Sequence, residues 1–592
     1  MAAAPHGTRY FMIYLESILS TDQVLSAGAW RLRKGSGCCS HGEATPERVT
    51  KLTPGRALPR SPGQRRSTAE RARRYTSHIM RPTLSLALLL VVSALAPAQQ
   101  HPTPETAAWW AQTTALSNDA MQGRDTGTEA YERAAQYVAD QFHAAGLKPA
   151  GDNSTFFQRV PMRQLALDET TSSVTILHPT GEEVALHFTT DVTMVPRGDF
   201  SLPSAPMVFL GYGLGPAGLD LKGKIAVFFN NTPAGLSPEE RASYPARRLR
   251  ALTQAGVAAI LAIDNPTGLE PFHWPAAYAR SVTLANTPAA STSVPTLIRV
   301  NSGRIASLLP KEGPSAAELL AKGIKGDPLP TFPMGLSARI TLRTTAKEIS
   351  SPNILAILPG SNPALAPEYV ALSAHLDGYG YGTPVLGDNL YNGTLDDAAY
   401  VALLLEMAKS LRAHAPARSL LFCIFTGEEK GLLGSAWFTT HPTVSAANIV
   451  ADLNLDQLRP IFPLKVLTME GLDDSTIGAT AHALAVSMGI ELRPDREPER
   501  NLYRRADNYN FVRIGVPIGS FIFGYNPSSP EEVVYRDWYA RRYHKPQDDL
   551  ATPIDWTAAA TFNRFYQELA VALADAPTRP TWLPTSTNAP KP

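Results

Sequence analysis

From about residue 350 onward the chain alternates short apolar runs with helical stretches, and this alternation limits its fold more than any other feature. The apolar runs lie at 353–358, 369–374, 420–425, 449–455 and 518–523, and the helical stretches at 398–413, 475–488 and 557–573. Apolar runs of this length, separated by helices, belong to strands buried on both faces. The expected fold class is therefore α/β, with a mixed central sheet flanked by helices. In such sheets ligands bind where strands end, so polar residues just beyond each run are the candidates for function.

A chain of 592 residues exceeds what one core usually organises, so more than one domain is expected. The segment 104–147 is helical in pattern, with apolar spacing through 134–145, a stop at Gly146, and Gly123-Arg-Asp-Thr-Gly-Thr128 as a loop and cap between two helices. From about 160 to 345 the character shifts to short strands and turns, such as 173–178, 207–210 and 224–229, with a helix at 246–255 and an apolar run at 257–263. The expected division is an N-terminal part of the main domain at 99–160, a β-rich insert at 161–345, the main domain at 346–578 and a disordered tail at 579–592.

Residues 1–79 are rich in Arg, Gly, Ser and Pro and lack an apolar period. They lead into Met80-Arg81, an apolar stretch at 84–95 and Ala96-Pro97-Ala98, the pattern of a secretory signal peptide too short for a membrane span. Because a signal does not function behind eighty polar residues, translation is expected to start at Met80 and residues 1–79 to be an over-extended start. The mature protein is then exported, to the periplasm or outside the cell, with no stable membrane insertion. Residues 1–98 hold 14 of the 54 Lys and Arg but 5 of the 53 Asp and Glu, so the remainder carries a net charge of −8. That balance argues against a nucleic-acid partner. Cys38 and Cys39 leave with the leader, and Cys423, inside an apolar run, reads as a small buried hydrophobe.

Five short motifs sit at the strand ends. His375 and Asp377 close the run 369–374 and, two residues apart, point the same way; a ligand histidine needs its second ring nitrogen held by an acceptor such as that carboxylate. Asp396-Asp397 follows a loop containing Asn392-Gly393 and opens a helix; the pair suits either a helix cap or a bridging metal ligand. Glu428-Glu429 follows the run 420–425 through Thr426-Gly427, where one carboxylate can bind metal and the other can serve as general base. Asp456 ends an apolar strand in which an unpaired carboxylate is costly, and His544 lies in Tyr543-His544-Lys-Pro-Gln-Asp548 before the last helix. Singly, each motif fits an ordinary structural role. Together they form a set of hard oxygen and nitrogen donors suited to two zinc ions bridged by one carboxylate.

The order His375-x-Asp377, Asn392-Gly-x-x-Asp396-Asp397-Ala, Gly427-Glu428-Glu429-x-Gly-x-x-Gly434-Ser, Asn454-x-Asp456 and Tyr543-His544-x-Pro-x-Asp resembles the co-catalytic zinc aminopeptidases, the family of bacterial leucyl aminopeptidase, aminopeptidase Y and glutamate carboxypeptidase. The likeness spans about 104–575. Within the insert, Leu210-Gly-Tyr-Gly213, the segment 219–227 and the segment 255–260 resemble a protease-associated domain. The resemblance implies a zinc-exopeptidase fold with two Zn2+: His375 and Asp456 on one ion, Glu429 and His544 on the other, and Asp396 bridging. It implies that Glu428 is the general base, that Asp377 orients His375, and that Asp397 follows Asp396 through a strained peptide. The expected partners are peptide substrates cleaved at the N-terminus; oligomeric state is left open.

Two departures bear on specificity. Ala398-Ala399-Tyr400 stands where the family often has Ala-Ser-Gly, and Arg505-Ala-Asp507-Asn508-Tyr-Asn-Phe511 where many members show Ser-Asp-His. Tyr400 and the aromatic loop 525–543 are expected as pocket walls. A carboxypeptidase, a single-zinc glutaminyl cyclase and a non-catalytic binding module on the same scaffold remain the competing readings.

Overall fold

The apolar runs become the interior of a ten-stranded mixed sheet. The computed structural model describes residues 101–590 except 217, 268–279, 288–293, 311–312 and 457–458, so the expected leader and signal segment lie outside the described residues. At the centre, strand Tyr369–His375 pairs in parallel with Ser419–Phe425 on one side and with Ile449–Asn454 on the other. Ile518–Gly524 continues the parallel order beyond Ile449–Asn454, and Thr344–Leu358 closes the other side antiparallel to Ser419–Phe425. The chain thus crosses from Tyr369–His375 to Ser419–Phe425 on one side and then back to Ile449–Asn454 on the other, and such a reversal opens a crevice at the C-terminal end of Tyr369–His375.

Strict alternation of side chains divides the sheet's residues between two cores. Ile354, Val370, Leu372, Phe422 and Ile424 face one layer, with helices Pro104–Ser117, Glu129–Ala144, Ala399–Leu411 and Trp556–Asp575. Leu355, Ala371, Leu421, Cys423 and Phe425 face the other, against Phe438 and Phe511 of helices Leu433–Thr440 and Asn508–Arg513. Cys423 is fully buried and burial pushes its thiol pKa well up, as expected for an inert core residue.

The segment between the first helices and residue 344 builds a second, eight-stranded sheet with its own core, formed around strands Phe200–Leu210, Ile225–Asn230, Ala259–Asp264 and Thr331–Leu342. The boundaries expected at 161 and 345 fall inside strands. Phe157–Leu167 and Thr344–Leu358 run through them as one antiparallel ribbon belonging to the main sheet, and Arg280–Leu284, from within the segment, pairs with the free edge of that ribbon. Period-two patterning in residues 160–167 marks a strand without saying which sheet receives it.

Two further expectations are corrected. Residues 581–588, expected to be a disordered tail, are tied down: the Thr476 and Leu583 amides bond to Thr581 O and Asp474 O, Trp582 Nε1 donates to Gly515 O, and Asn588 donates to Asp474. Polar, proline-rich composition hid these long-range hydrogen bonds. The stretch 525–543, expected to be a loop, contains helix Pro530–Arg541, capped by Ser529. Among the described residues no helix is long and apolar enough to cross a membrane.

Candidate metal centre

All five predicted donors meet at the C-terminal edge of the parallel strands. His375 is the last residue of its strand, Glu429 follows Ser419–Phe425 through a turn, and Asp456 lies two residues beyond Ile449–Asn454. Asp396 comes from the wide turn Thr394–Ala398, where Gly393 has φ of 58° and a Cβ would meet Asp396 O at 2.5 Å, so the turn requires glycine. His544 arrives from the loop after helix Pro530–Arg541.

These side chains form two triplets, His375–Asp396–Asp456 and Asp396–Glu429–His544, each with donor atoms within 4.8 Å of one another. Asp396 belongs to both: its Oδ1 lies 3.2 Å from His375 Nε2 and its Oδ2 3.3 Å from His544 Nε2. The peptide bond between Asp396 and Asp397 is cis. Asp397 turns the other way, accepting the His375 backbone N–H at 3.0 Å. Glu428, partly buried beside the triplets, places Oε2 4.0 Å from His375 Nε2 and belongs to neither set.

Charge balance indicates what this cluster lacks. Burial, together with Asp456, Glu429 and Asp507, pushes Glu428 well above the usual carboxylate range, against the pull of His375. Burial and the neighbouring Asp396, Glu429 and Asp507 raise Asp456 to about 7. Glu429 is raised by burial and by Asp396, although His544 opposes. Asp396 alone moves down, burial being outweighed by hydrogen bonds from the two imidazoles. His375 rises well above its ordinary value, since Asp397 and Asp396 overcome its burial. Carboxylates buried this close together favour added positive charge, and a hard oxygen and nitrogen set of this composition fits divalent cations.

The expected role of Asp377 is altered. Its backbone carbonyl meets His375 Nδ1 at 3.0 Å, while its carboxylate is 3.9 Å away. That carboxylate instead accepts the backbone N–H groups of Glu428 and Glu429 at 3.1 and 3.3 Å and the Thr126 hydroxyl at 2.9 Å. The Glu-Glu turn brings two backbone donors to it, a contact that spacing along the chain does not encode. Tyr400 is also misplaced by the sequence reading: it is 2 % exposed and packs in the main core, and Tyr535, Trp538 and Tyr539 are likewise buried.

Several residues at the site escaped sequence reasoning. Arg124, fully buried, donates to Leu376 O, Leu116 O, Asn392 O and Gly393 O at 2.7–2.8 Å, tying the end of helix Pro104–Ser117 to the residue after His375 and to the loop before Asp396. Asp548 accepts the N–H groups of Leu395 and Asp396 at 3.0 Å. Tyr379 hydrogen-bonds Glu429 Oε2, and its hydroxyl lies 3.2 Å from His544 Nδ1. Asp507 accepts from Ser435 Oγ behind Glu428. Asp548 closes the Tyr543-His544-x-Pro-x-Asp motif and was legible in principle; Arg124 and Tyr379 carry no local signal.

Residues 353–570 match the sequence profile described as peptidase family M28. Among curated proteins, the chain is 36% identical over 66 residues, 11% of its length and 15% of the relative's, to a probable zinc metalloprotease of Pyrenophora tritici-repentis. It is 23% identical over 233 residues, 38% of its length and 46% of the relative's, to aminopeptidase YwaD of Bacillus subtilis. The chain thus spans less than half the length of these curated relatives. A solved aminopeptidase from Aneurinibacillus sp. strain AM-1 has a similar fold, with a TM-score of 0.52 at 19% identity, covering 80% of this chain and 94% of that one. The stretch 353–570 that matches the peptidase family M28 profile carries every donor of the centre.

Proposed function

We propose that this chain is a zinc-dependent exopeptidase that removes N-terminal residues from peptides, with two donor triplets sharing Asp396 that would hold two metal ions. The observation that carries the reading is Asp396 standing between two donor triplets, with Glu428 left over beside them. His375 and Asp456 would hold one ion, and Glu429 and His544 the other. Zinc is supported by the donor chemistry and by the relatives' names. When bound, such a pair supplies Lewis acidity at the scissile carbonyl and lowers the pKa of an attacking water.

Glu428 takes the proton of that water and passes it to the departing amine. The Asp377 carboxylate, by accepting the Glu428 and Glu429 N–H groups, fixes the turn from which the base reaches the centre. Asp548 does the same for the backbone entering Asp396, and Tyr379 for Glu429. Likeness to named aminopeptidases supports action at the N-terminus, and the signal-like segment 80–98 supports export. The segment 161–345, as a protease-associated-type module, would roof the peptide's approach.

A panel of aminoacyl nitroanilides and their N-blocked counterparts, assayed with and without chelator, tests the reading. Unblocked substrates are expected to be cleaved, with activity lost on chelation and regained with zinc. Cleavage of blocked peptides from the C-terminus, or no chelator-sensitive turnover, overturns it.

A further inference from the structure

Six arginines among the described residues are essentially buried, and five have an acceptor. Arg124 has four carbonyls, Arg248 has Asn230 Oδ1 at 2.7 Å, Arg299 has Asp264 at 2.6 Å, Arg418 has Glu368 at 2.7 Å and Arg500 has Glu497 at 3.3 Å. Arg459 is 0 % exposed, yet neither Nε, Nη1 nor Nη2 has a hydrogen-bond partner. Its faces are well covered: the guanidinium carbon lies 3.8 Å from the Trp538 ring centre and 4.1 Å from that of Tyr539. Stacking satisfies only the faces. The five N–H donors point outward in the guanidinium plane, where ring faces cannot accept from them, and a charged group left without hydrogen-bond partners in the interior is costly.

Trp538 Nε1 and the Tyr400 hydroxyl, both buried, also lack partners. Asp548, the carboxylate within electrostatic reach, accepts the N–H groups of Leu395 and Asp396, and Arg500 adds a like charge nearby. Ordered water answers unpaired donors but not an uncompensated charge.

We propose that Arg459, with Trp538 Nε1 and the Tyr400 hydroxyl, holds a small anion of halide or carboxylate type beside the metal centre. Trp538 and Tyr539 pack on Tyr543 at 5.3 and 5.1 Å, and Tyr543 stacks on His544 at 3.7 Å. An anion that fixes Arg459 therefore steadies the aromatic stack behind a donor of the second triplet. The anion is supplied either free from solution or as the side-chain carboxylate of a bound peptide; the peptide source rests on the exopeptidase reading, the free source does not.

The test uses the full metal-loaded chain at constant ionic strength with bromide replacing isethionate. Bromide is expected to raise the melting temperature by roughly 1–2 °C per tenfold increase above its Kd. It should give an anomalous peak in the guanidinium plane of wild-type crystals, and the melting effect should vanish in Arg459→Met. If bromide has no effect, calorimetry on the Glu428→Gln protein with a glutamyl dipeptide and its glutaminyl counterpart decides the peptide source: at least tenfold tighter glutamyl binding, lost with Arg459→Met added, supports it. No bromide peak together with equal dipeptide binding overturns the proposal. Should Arg459→Met fail to fold, the wild-type anomalous map and dipeptide comparison still decide.

Discussion

Glu428 and Glu429 are adjacent in sequence but their side chains are placed differently. Glu429 joins a donor triplet with Asp396 and His544, while Glu428 stays outside both triplets at 4.0 Å from His375. Glu428→Gln keeps size and burial but removes the proton acceptor. It is expected to retain two equivalents of zinc by elemental analysis and to lose about 10²- to 10⁴-fold in kcat. A rate near that of the wild type would remove Glu428 from the role of base. His544→Ala is expected to lower zinc content, because the second triplet keeps only two carboxylates; two tightly held ions in that variant would contradict the assignment.

At the scale of elements, the donors come from separate strand ends and loops, and their convergence depends on what joins those loops. Arg124 does so through carbonyls of helix Pro104–Ser117, of the residue after His375 and of the loop before Asp396. Arg124→Met would strand those carbonyls without donors. It is expected to cost about 3 kcal/mol or more in denaturant unfolding, and to weaken zinc binding about 10- to 100-fold in a chelator competition. Unchanged zinc affinity in a folded variant would mean that the loops are set without it. Sequence reasoning found the strand carrying His375 and the loop carrying Asp396 because both have local patterns. It missed Arg124, which sits 252 residues from its Leu376 partner in an unremarkable Gly-Arg-Asp loop.

Across the molecule, the centre ties stability to pH and metal. Burial raises Asp456, Asp507 and Asp548 to about 7, with like-charged neighbours adding to all three. An unfolded Asp titrates near 4, so between about pH 4 and 7 the folded metal-free chain holds protons that the unfolded chain has released. Its stability therefore falls as pH rises through that window, and the loss is complete above about 7. Metal supplies the positive charge those protons provide, so zinc should stabilise more at pH 8 than at pH 5. Melting temperatures of chelated and zinc-loaded protein measured across this range are expected to diverge as pH rises; a constant gap would sink the idea.

The sequence carried the α/β class, four of the five expected strands of the main sheet to within a residue and, through the family resemblance, the candidate donors His375, Asp396, Glu429, Asp456 and His544. Apolar periodicity and strand-end chemistry are local properties that a single sequence carries. Tertiary structure alone decided that Phe157–Leu167 and Thr344–Leu358 form one ribbon of the main sheet, that residues 581–588 pack down, and that Tyr400 lies in the core. It also decided that the Asp377 carboxylate serves the Glu428–Glu429 turn, and that Arg459 has covered faces and unpaired edges. Those outcomes depend on which distant groups meet, and strand pairing and buried hydrogen bonds fix that only once the chain has closed on itself.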